Sequence, residues 1–399
     1  MRKLLAVLVC LCLVPVFALS ETLADYQPLH ELAANYGFRF GGAVSYGQHN
    51  LRSYQELARH FNTVTSTNEM KAYSLLDEWA SRSAADGMPV MNYDRADRIV
   101  AWAQSQGMHV RGHVLVWDAY MCDWFFREGY DTTKPYADQE TLRIRLRSYI
   151  TQVMGHFEEK FPGVVDSWDV VNEAVGDNDS EYSVKDKRHV RQVRNGADNP
   201  FYALVGEDYV EYAFLCARDA QEALGADIKL FYNDYNTFQL PKCKAICTLV
   251  ESINRYAQDS EGNDRKLIDG VGMQGYIGGY GTQTGCLNMT DLNRIKTVVS
   301  HYAKTGVEVQ ITEMALRNYD KAKIEAHGEF YGELTRMIMD LNKDGTVFTG
   351  WTIWGLTDCP QLPETDYTWR LNSPYGGLVD QRYNIKPAFL AVYEALGGR

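Results

Sequence analysis

The chain has 399 residues, with 40 Lys and Arg against 52 Asp and Glu and a formal net charge of -12 at pH 7. Such a balance repels nucleic acid and anionic membrane surfaces, so a neutral partner is the natural one. Hydrophobic content of 45% is ordinary for a globular chain, and 26 Tyr with 8 Trp make it rich in amphipathic rings without by themselves defining a sugar platform.

At the N-terminus, Arg2 and Lys3 precede an apolar run from Leu4 to Phe17 that ends in Ala18-Leu19-Ser20. This is the pattern of a secretory signal. Residues 1–20 are expected to be removed, with cleavage as late as residue 24, leaving 25–399 as one secreted domain. No second apolar stretch approaches the roughly twenty residues that span a bilayer, so no membrane association is expected. Cys10 and Cys12 leave with the signal. The remaining Cys122, Cys216, Cys243, Cys247, Cys286 and Cys359 are too few for a disulfide-built scaffold. Cys243 and Cys247 lie one helical turn apart with no histidine at ligand spacing, so no metal is expected.

Beyond the signal there is no linker, short repeat or low-complexity tract. Apolar runs predict strands near 38–44, 61–66, 109–115, 164–172, 228–233, 268–274, 307–312 and 348–354. Between them, three- and four-residue spacing predicts helices such as Arg95–Gln106, Leu142–Phe157, Tyr209–Leu224, Ala245–Tyr256, Leu292–Tyr302 and Ile324–Leu341. Strand and helix alternating eight times predict an α/β fold, a single (β/α)8 TIM barrel. The stretch 176–199, crowded with charges and lacking periodicity, reads as a long surface loop after the fourth strand, of a kind that often flanks a binding cleft, and its charges read as a solvated face. Asp358–Ser373, with Pro360, Pro363 and Trp369, reads as a second irregular loop beside the cleft. Cysteine pairing stays open, with Cys286 and Cys359 the first candidates because both fall near the expected barrel mouth.

Barrel chemistry gathers at the carboxyl ends of the strands, and the predicted strands end on polar or aromatic residues. Asn68 and Lys71 follow the second, and His113 and Trp117 stand at the third. Asn172 and Glu173 close the fourth, Asn233 and Asp234 the fifth. Gln274 and Tyr276 follow the sixth, Glu313 ends the seventh and Trp354 the eighth. Two glutamates delivered from buried strand ends are what glycosidic bond cleavage needs, one as proton donor and one as nucleophile or base. Taken singly, Lys71 also reads as a surface lysine and His113 as a core histidine.

Trp168-Asp169-Val170-Val171-Asn172-Glu173-Ala174 and Ile311-Thr312-Glu313 resemble the two catalytic strands of glycoside hydrolase family 10, the barrel endo-1,4-β-xylanases. Also similar are Gly112-His113-Val114-Leu115-Val116-Trp117, Tyr232-Asn233-Asp234-Tyr235-Asn236, Gly270-Val271-Gly272-Met273-Gln274, Trp354-Gly355-Leu356-Thr357-Asp358 and Lys386-Pro387-Ala388. They fall in family order over about residues 30 to 396. The resemblance implies Glu173 as acid/base and Glu313 as nucleophile of a retaining hydrolase, carboxyls about 5 to 5.5 Å apart. It further implies Asn172 on the sugar 2-hydroxyl. Asn68, Lys71, His113 and Gln274 would line the same subsite, with Trp117 and Trp354 as its walls, and no cofactor would be required.

The chain departs from the family at Thr67, Asp118, Tyr120 and Leu362, which serve the glycone side, and Trp369 could replace a missing ring there. Around the nucleophile, Tyr276 and Ala315 stand where a histidine and its aspartate partner are usual, and Tyr276 could donate its hydroxyl to Glu313. The expected function is therefore a secreted, monomeric endo-1,4-β-xylanase acting on xylan or xylo-oligosaccharides by double displacement. The alternatives are a related β-glycosidase with altered glycan specificity and a non-catalytic glycan-binding barrel, including one decayed from an enzyme.

Overall fold

A computed structural model describes residues 21–277, 289–343, 345, 347–360 and 373–399. The expected signal at 1–20, Cys286, Leu362 and Trp369 lie outside the described residues.

Eight strands form the frame: β1 Arg39–Val44, β2 Thr63–Ser66, β3 His109–Val116, β4 Val165–Asn172, β5 Lys229–Asp234, β6 Gly270–Met273, β7 Glu308–Leu316 and β8 Phe348–Ile353. Each pairs in parallel with the next, and β8 pairs with both β7 and β1, which closes the barrel. Closure removes free edges and turns every strand's carboxyl end toward one mouth. Eight helices follow the strands in order: α1 Arg52–Ala58, α2 Asp94–Ser105, α3 Gln139–Lys160, α4 Tyr209–Leu224, α5 Leu240–Arg255, α6 Met289–Lys304, α7 Ile324–Leu341 and α8 Pro387–Ala395. The predicted (β/α)8 architecture is the observed one. Among the described residues, no helix is long and apolar enough to cross a membrane.

Boundaries differ where local chemistry extends an element. α5 begins at Leu240 rather than Ala245, because Pro241 in its first turn needs no amide donor there. α3 starts three residues before the predicted Leu142, where Asp138 accepts from the Thr141 amide at 2.8 Å and caps the helix. Close packing of β3 on β4 depends on Gly112, since a Cβ there would lie 2.3 Å from the Trp168 ring. Register shifts interrupt β3/β4 between His113 and Val116 and β7/β8 between Ile311 and Met314. Such irregularities re-aim side chains, and the second of them spans Thr312 and Glu313.

Candidate active site

The floor of the site is ionic. Arg111 on β3 grips Asp169 on β4 with two donors and gives a third hydrogen bond to Gln310 Oε1 at 2.9 Å. His113 Nδ1 lies 2.8 Å from Oδ2 of the same carboxylate, the oxygen that Arg111 Nε also reaches. Burial alone would raise the Asp169 pKa, but Arg111 and His113 outweigh it and hold the group below the ordinary carboxylate range. The imidazole plane is thereby fixed from beneath.

Above this floor the strand ends are stitched together by backbone bonds. Glu173 N donates to Asn233 O at 2.9 Å, Gln274 N to Asp234 O at 3.0 Å, and Glu313 N to Gln274 O at 3.0 Å. Four neighbouring strands thus bring their terminal side chains to one place. Asn233 Nδ2 donates to Asn172 Oδ1 and to Glu313 Oε1, each at 2.9 Å, while Thr312 Oγ1 donates to Asn233 Oδ1 at 2.6 Å and fixes the amide. Gln274 Nε2 donates to Asn172 Oδ1 at 3.2 Å and to Glu173 Oε1 at 3.0 Å. The Tyr276 hydroxyl donates to Glu313 Oε2, so each oxygen of Glu313 accepts a hydrogen bond.

The two buried glutamates have unlike surroundings. Burial raises the Glu173 pKa above its ordinary value, and the charges of Asp234 and Glu313 add to the effect. Arg194 and Gln274 oppose it without reversing it. Glu173 is thus held back from ionising although Gln274 and Arg194 donate to its two oxygens, and a carboxyl so held suits a proton donor. Asn172 Nδ2 is buried and has no hydrogen-bond partner among the described residues, which leaves a donor available to an incoming hydroxyl.

The remaining predicted residues form one wall. Lys71 is buried, and its Nζ donates to Asn68 Oδ1 at 3.3 Å while lying over the Trp117 and Tyr120 rings at 5.1 and 4.7 Å. Burial lowers the Lys71 pKa, and the charges of Glu313, Glu173 and Glu69 counter that effect. Trp354 and Trp117 each approach His113 edge-on, with ring centroids 6.1 Å apart in both pairs. Tyr120 continues the run of rings at 4.4 Å from Trp117, and Tyr73 at 5.4 Å from Tyr120. His113 lies within β3 and Glu313 within β7, Asn172 ends β4, and Asn68, Lys71, Trp117, Glu173, Gln274, Tyr276 and Trp354 follow their strands.

One part of an expectation fails. The stretch 176–199 is a surface loop beside the cleft, but two of the charges read as solvated, Arg191 and Arg194, turn into the site. Arg191 is 1% exposed, and its Nε donates to the Glu173 carbonyl at 3.3 Å. Arg194 Nη1 donates to Glu173 Oε2 at 3.0 Å, and its Nε and Nη2 hold the two oxygens of Asp118 at 2.7 and 2.8 Å. The cause is a ribbon in which Val193-Arg194 pairs antiparallel with Ala197-Asp198. Its turn, Asn195-Gly196, has φ of 52° and 82°. Asn-Gly is a strong hairpin signal and was legible in the sequence, although the flanking residues lack apolar alternation. Two of the glycone-side departures are also engaged internally. Thr67 Oγ1 lies 2.8 Å from Ser45 Oγ, and Asp118 is occupied by Arg194.

Residues 28–395 match the model of glycosyl hydrolase family 10. A β-1,4-xylanase of Dictyoglomus thermophilum is 30% identical over 386 residues, covering 92% of this chain and 90% of that protein. Endo-1,4-β-xylanase A of Thermotoga maritima is 31% identical over 94% of this chain, which spans 30% of that longer protein. A solved mutant of the intracellular xylanase of Thermoanaerobacterium saccharolyticum, in complex with xylotriose, superposes with a TM-score of 0.70 at 30% identity. That superposition covers 92% of this chain and 98% of the other.

Proposed function

Because the chain belongs to glycosyl hydrolase family 10, we propose that it is a retaining endo-1,4-β-xylanase that cleaves internal bonds of xylan by double displacement. The observation that carries the reading is the pair of buried glutamates joined through Asn172, Asn233 and Gln274, with burial holding Glu173 back from ionising. Glu173 protonates the leaving oxygen while Glu313, steadied by Asn233 and Tyr276, attacks the anomeric carbon. Glu173, now ionised, then takes a proton from water, and that water releases the sugar from Glu313. Asn172 Nδ2 donates to the 2-hydroxyl, a contact that strengthens as charge develops at the anomeric carbon. Lys71, Asn68, His113 and Gln274 line the reacting sugar, and Trp117 and Trp354 wall it. The substrate is a polysaccharide or its oligomers, bound by a monomer. Export follows from the leader at 1–20. A cut before Leu23 keeps the contact of Leu23 O with His60 Nε2 at 3.1 Å, whereas a cut after residue 24 loses it.

A second reading keeps the chemistry and changes the glycan. It is favoured by the internal engagement of Thr67 and Asp118, which withdraws two polar side chains from a sugar on the glycone side. Reducing-sugar release from glucuronoxylan, arabinoxylan, mixed-linkage glucan and cellulose distinguishes the two. Xylan cleavage to short oligomers with retained anomeric configuration, abolished in Glu173→Ala and Glu313→Ala, supports the xylanase. Release from another β-glycan alone supports altered specificity, and release from none supports a binding barrel.

A further inference from the structure

Arg194 divides its guanidinium between two carboxylates. Nε and Nη2 reach both oxygens of Asp118, while Nη1 reaches Glu173 Oε2 and Nη2 also donates to the Glu173 carbonyl at 2.9 Å. The two-pronged pairing with Asp118 fixes the plane of the guanidinium, so its third edge meets Glu173 in one orientation. Side-chain exposures of 17% for Arg194, 4% for Asp118 and 11% for Glu173 keep these charges in a region where water screens them weakly. The ribbon turn fixes Arg194 in chain position. Glu173 itself sits at φ 56°, a left-handed conformation uncommon outside glycine, and the donors from Arg191 and Arg194 hold its carbonyl there.

We propose that Arg194, anchored by Asp118, is a positioning residue that fixes the Glu173 carboxyl and favours its ionised form. This rests on the reading of Glu173 as the acid/base. Burial favours the protonated form needed in the first half of the reaction, and the guanidinium offsets it so that the same group can act as a base in the second half. The other groups that face Glu173 do not duplicate this role. Gln274 after β6 is neutral, and Glu313 on β7 is an acid. Asp234 at the end of β5 is an acid paired with Lys242 at 2.8 Å. Tyr235, after β5, holds its phenol proton, since burial pushes its pKa well up. Lys71, after β2, donates to Asn68, and Arg191 reaches the Glu173 carbonyl rather than its carboxyl. Among the described residues, Arg194 is the cation hydrogen-bonded to a Glu173 carboxyl oxygen.

The test is a carbon-13 NMR titration of the full chain with labelled glutamate carboxyls, the Glu173 signal being assigned by its loss in Glu173→Gln. In Arg194→Met the Glu173 midpoint is expected to rise by about 1 to 3 pH units, the usual effect of removing one close opposite charge. Arg194→Lys is expected to bring it most of the way back. The basic limb of the kcat/KM profile on glucuronoxylan should move upward in step. A Glu173 midpoint unchanged in folded Arg194→Met, or raised equally in Arg194→Met and Arg194→Lys, overturns the proposal. If Arg194→Met does not fold, Arg194→Gln removes the charge while retaining polar contacts and gives the same readout. The titration needs no substrate, so a chain inactive on xylan defeats the xylanase reading while this measurement still decides the role of Arg194.

Discussion

Tyr276 and Ala315 are direct partners in a short parallel pairing beside β7, and the Tyr276 hydroxyl reaches back to Glu313 Oε2. The two positions read in the sequence as departures around Glu313, the proposed nucleophile, are therefore paired. A methyl group at Ala315 takes the place of a carboxylate, and a phenol supplies the hydrogen bond to Glu313.

Tyr276→Phe tests that substitution. It removes a donor to an ionised group while keeping the ring, and a hydrogen bond to a charged partner contributes about 1.5–3 kcal/mol. A fall in kcat/KM of about 10- to 100-fold is expected, the same energy expressed as a rate. Steady-state kinetics on xylo-oligosaccharides check it, and wild-type kinetics in the variant would remove the hydroxyl from the mechanism.

The Glu173 environment predicts a pH-dependent gain in stability. Its pKa is raised by burial above the unfolded value, so its favourable contribution is whole below about pH 4 and is lost as pH rises through the folded value. Glu173→Gln, a neutral isostere, should melt at a higher temperature than wild type at pH 8 and at the same temperature below pH 4. Calorimetry at both pH values decides this, and an equal gain at each would point to packing instead of charge.

Asp169 gives the opposite sign. Its folded pKa is depressed, so its stabilisation is present above the unfolded value of about 3.9 and is lost as pH falls through the depressed one. Asp169→Asn leaves the buried Arg111 without its counter-charge, and breaking such a pair costs about 3–5 kcal/mol. Denaturant unfolding should show that loss at pH 7 and a smaller one at pH 3.

The ring series Trp354, His113, Trp117, Tyr120 and Tyr73 leads outward from the glutamates, and Tyr120 and Tyr73 are exposed by 41% and 42%. Tyr120→Ala should weaken kcat/KM for long xylo-oligosaccharides by about 2- to 10-fold, the magnitude of one aromatic contact. Short aryl glycosides should be affected less. Equal losses on long and short substrates would argue that Tyr120 supports Lys71, whose Nζ lies over its ring, and does not carry a sugar.

The sequence by itself determined the barrel and the residues at its mouth, because both are written in short-range patterns. Apolar runs of strand length and helical spacing between them fixed eight units, and the polar residues ending those runs had one face on which to gather. The tertiary structure decided how these residues act on one another. His113 meets Asp169 across 56 positions, Arg194 meets Asp118 across 76, and Asn233 meets Glu313 across 80. Such pairings depend on barrel closure and strand register, which no local pattern encodes. Arg194 is the clearest case. In the sequence it is one charge among many in an aperiodic stretch, and only the folded ribbon turns it toward Glu173.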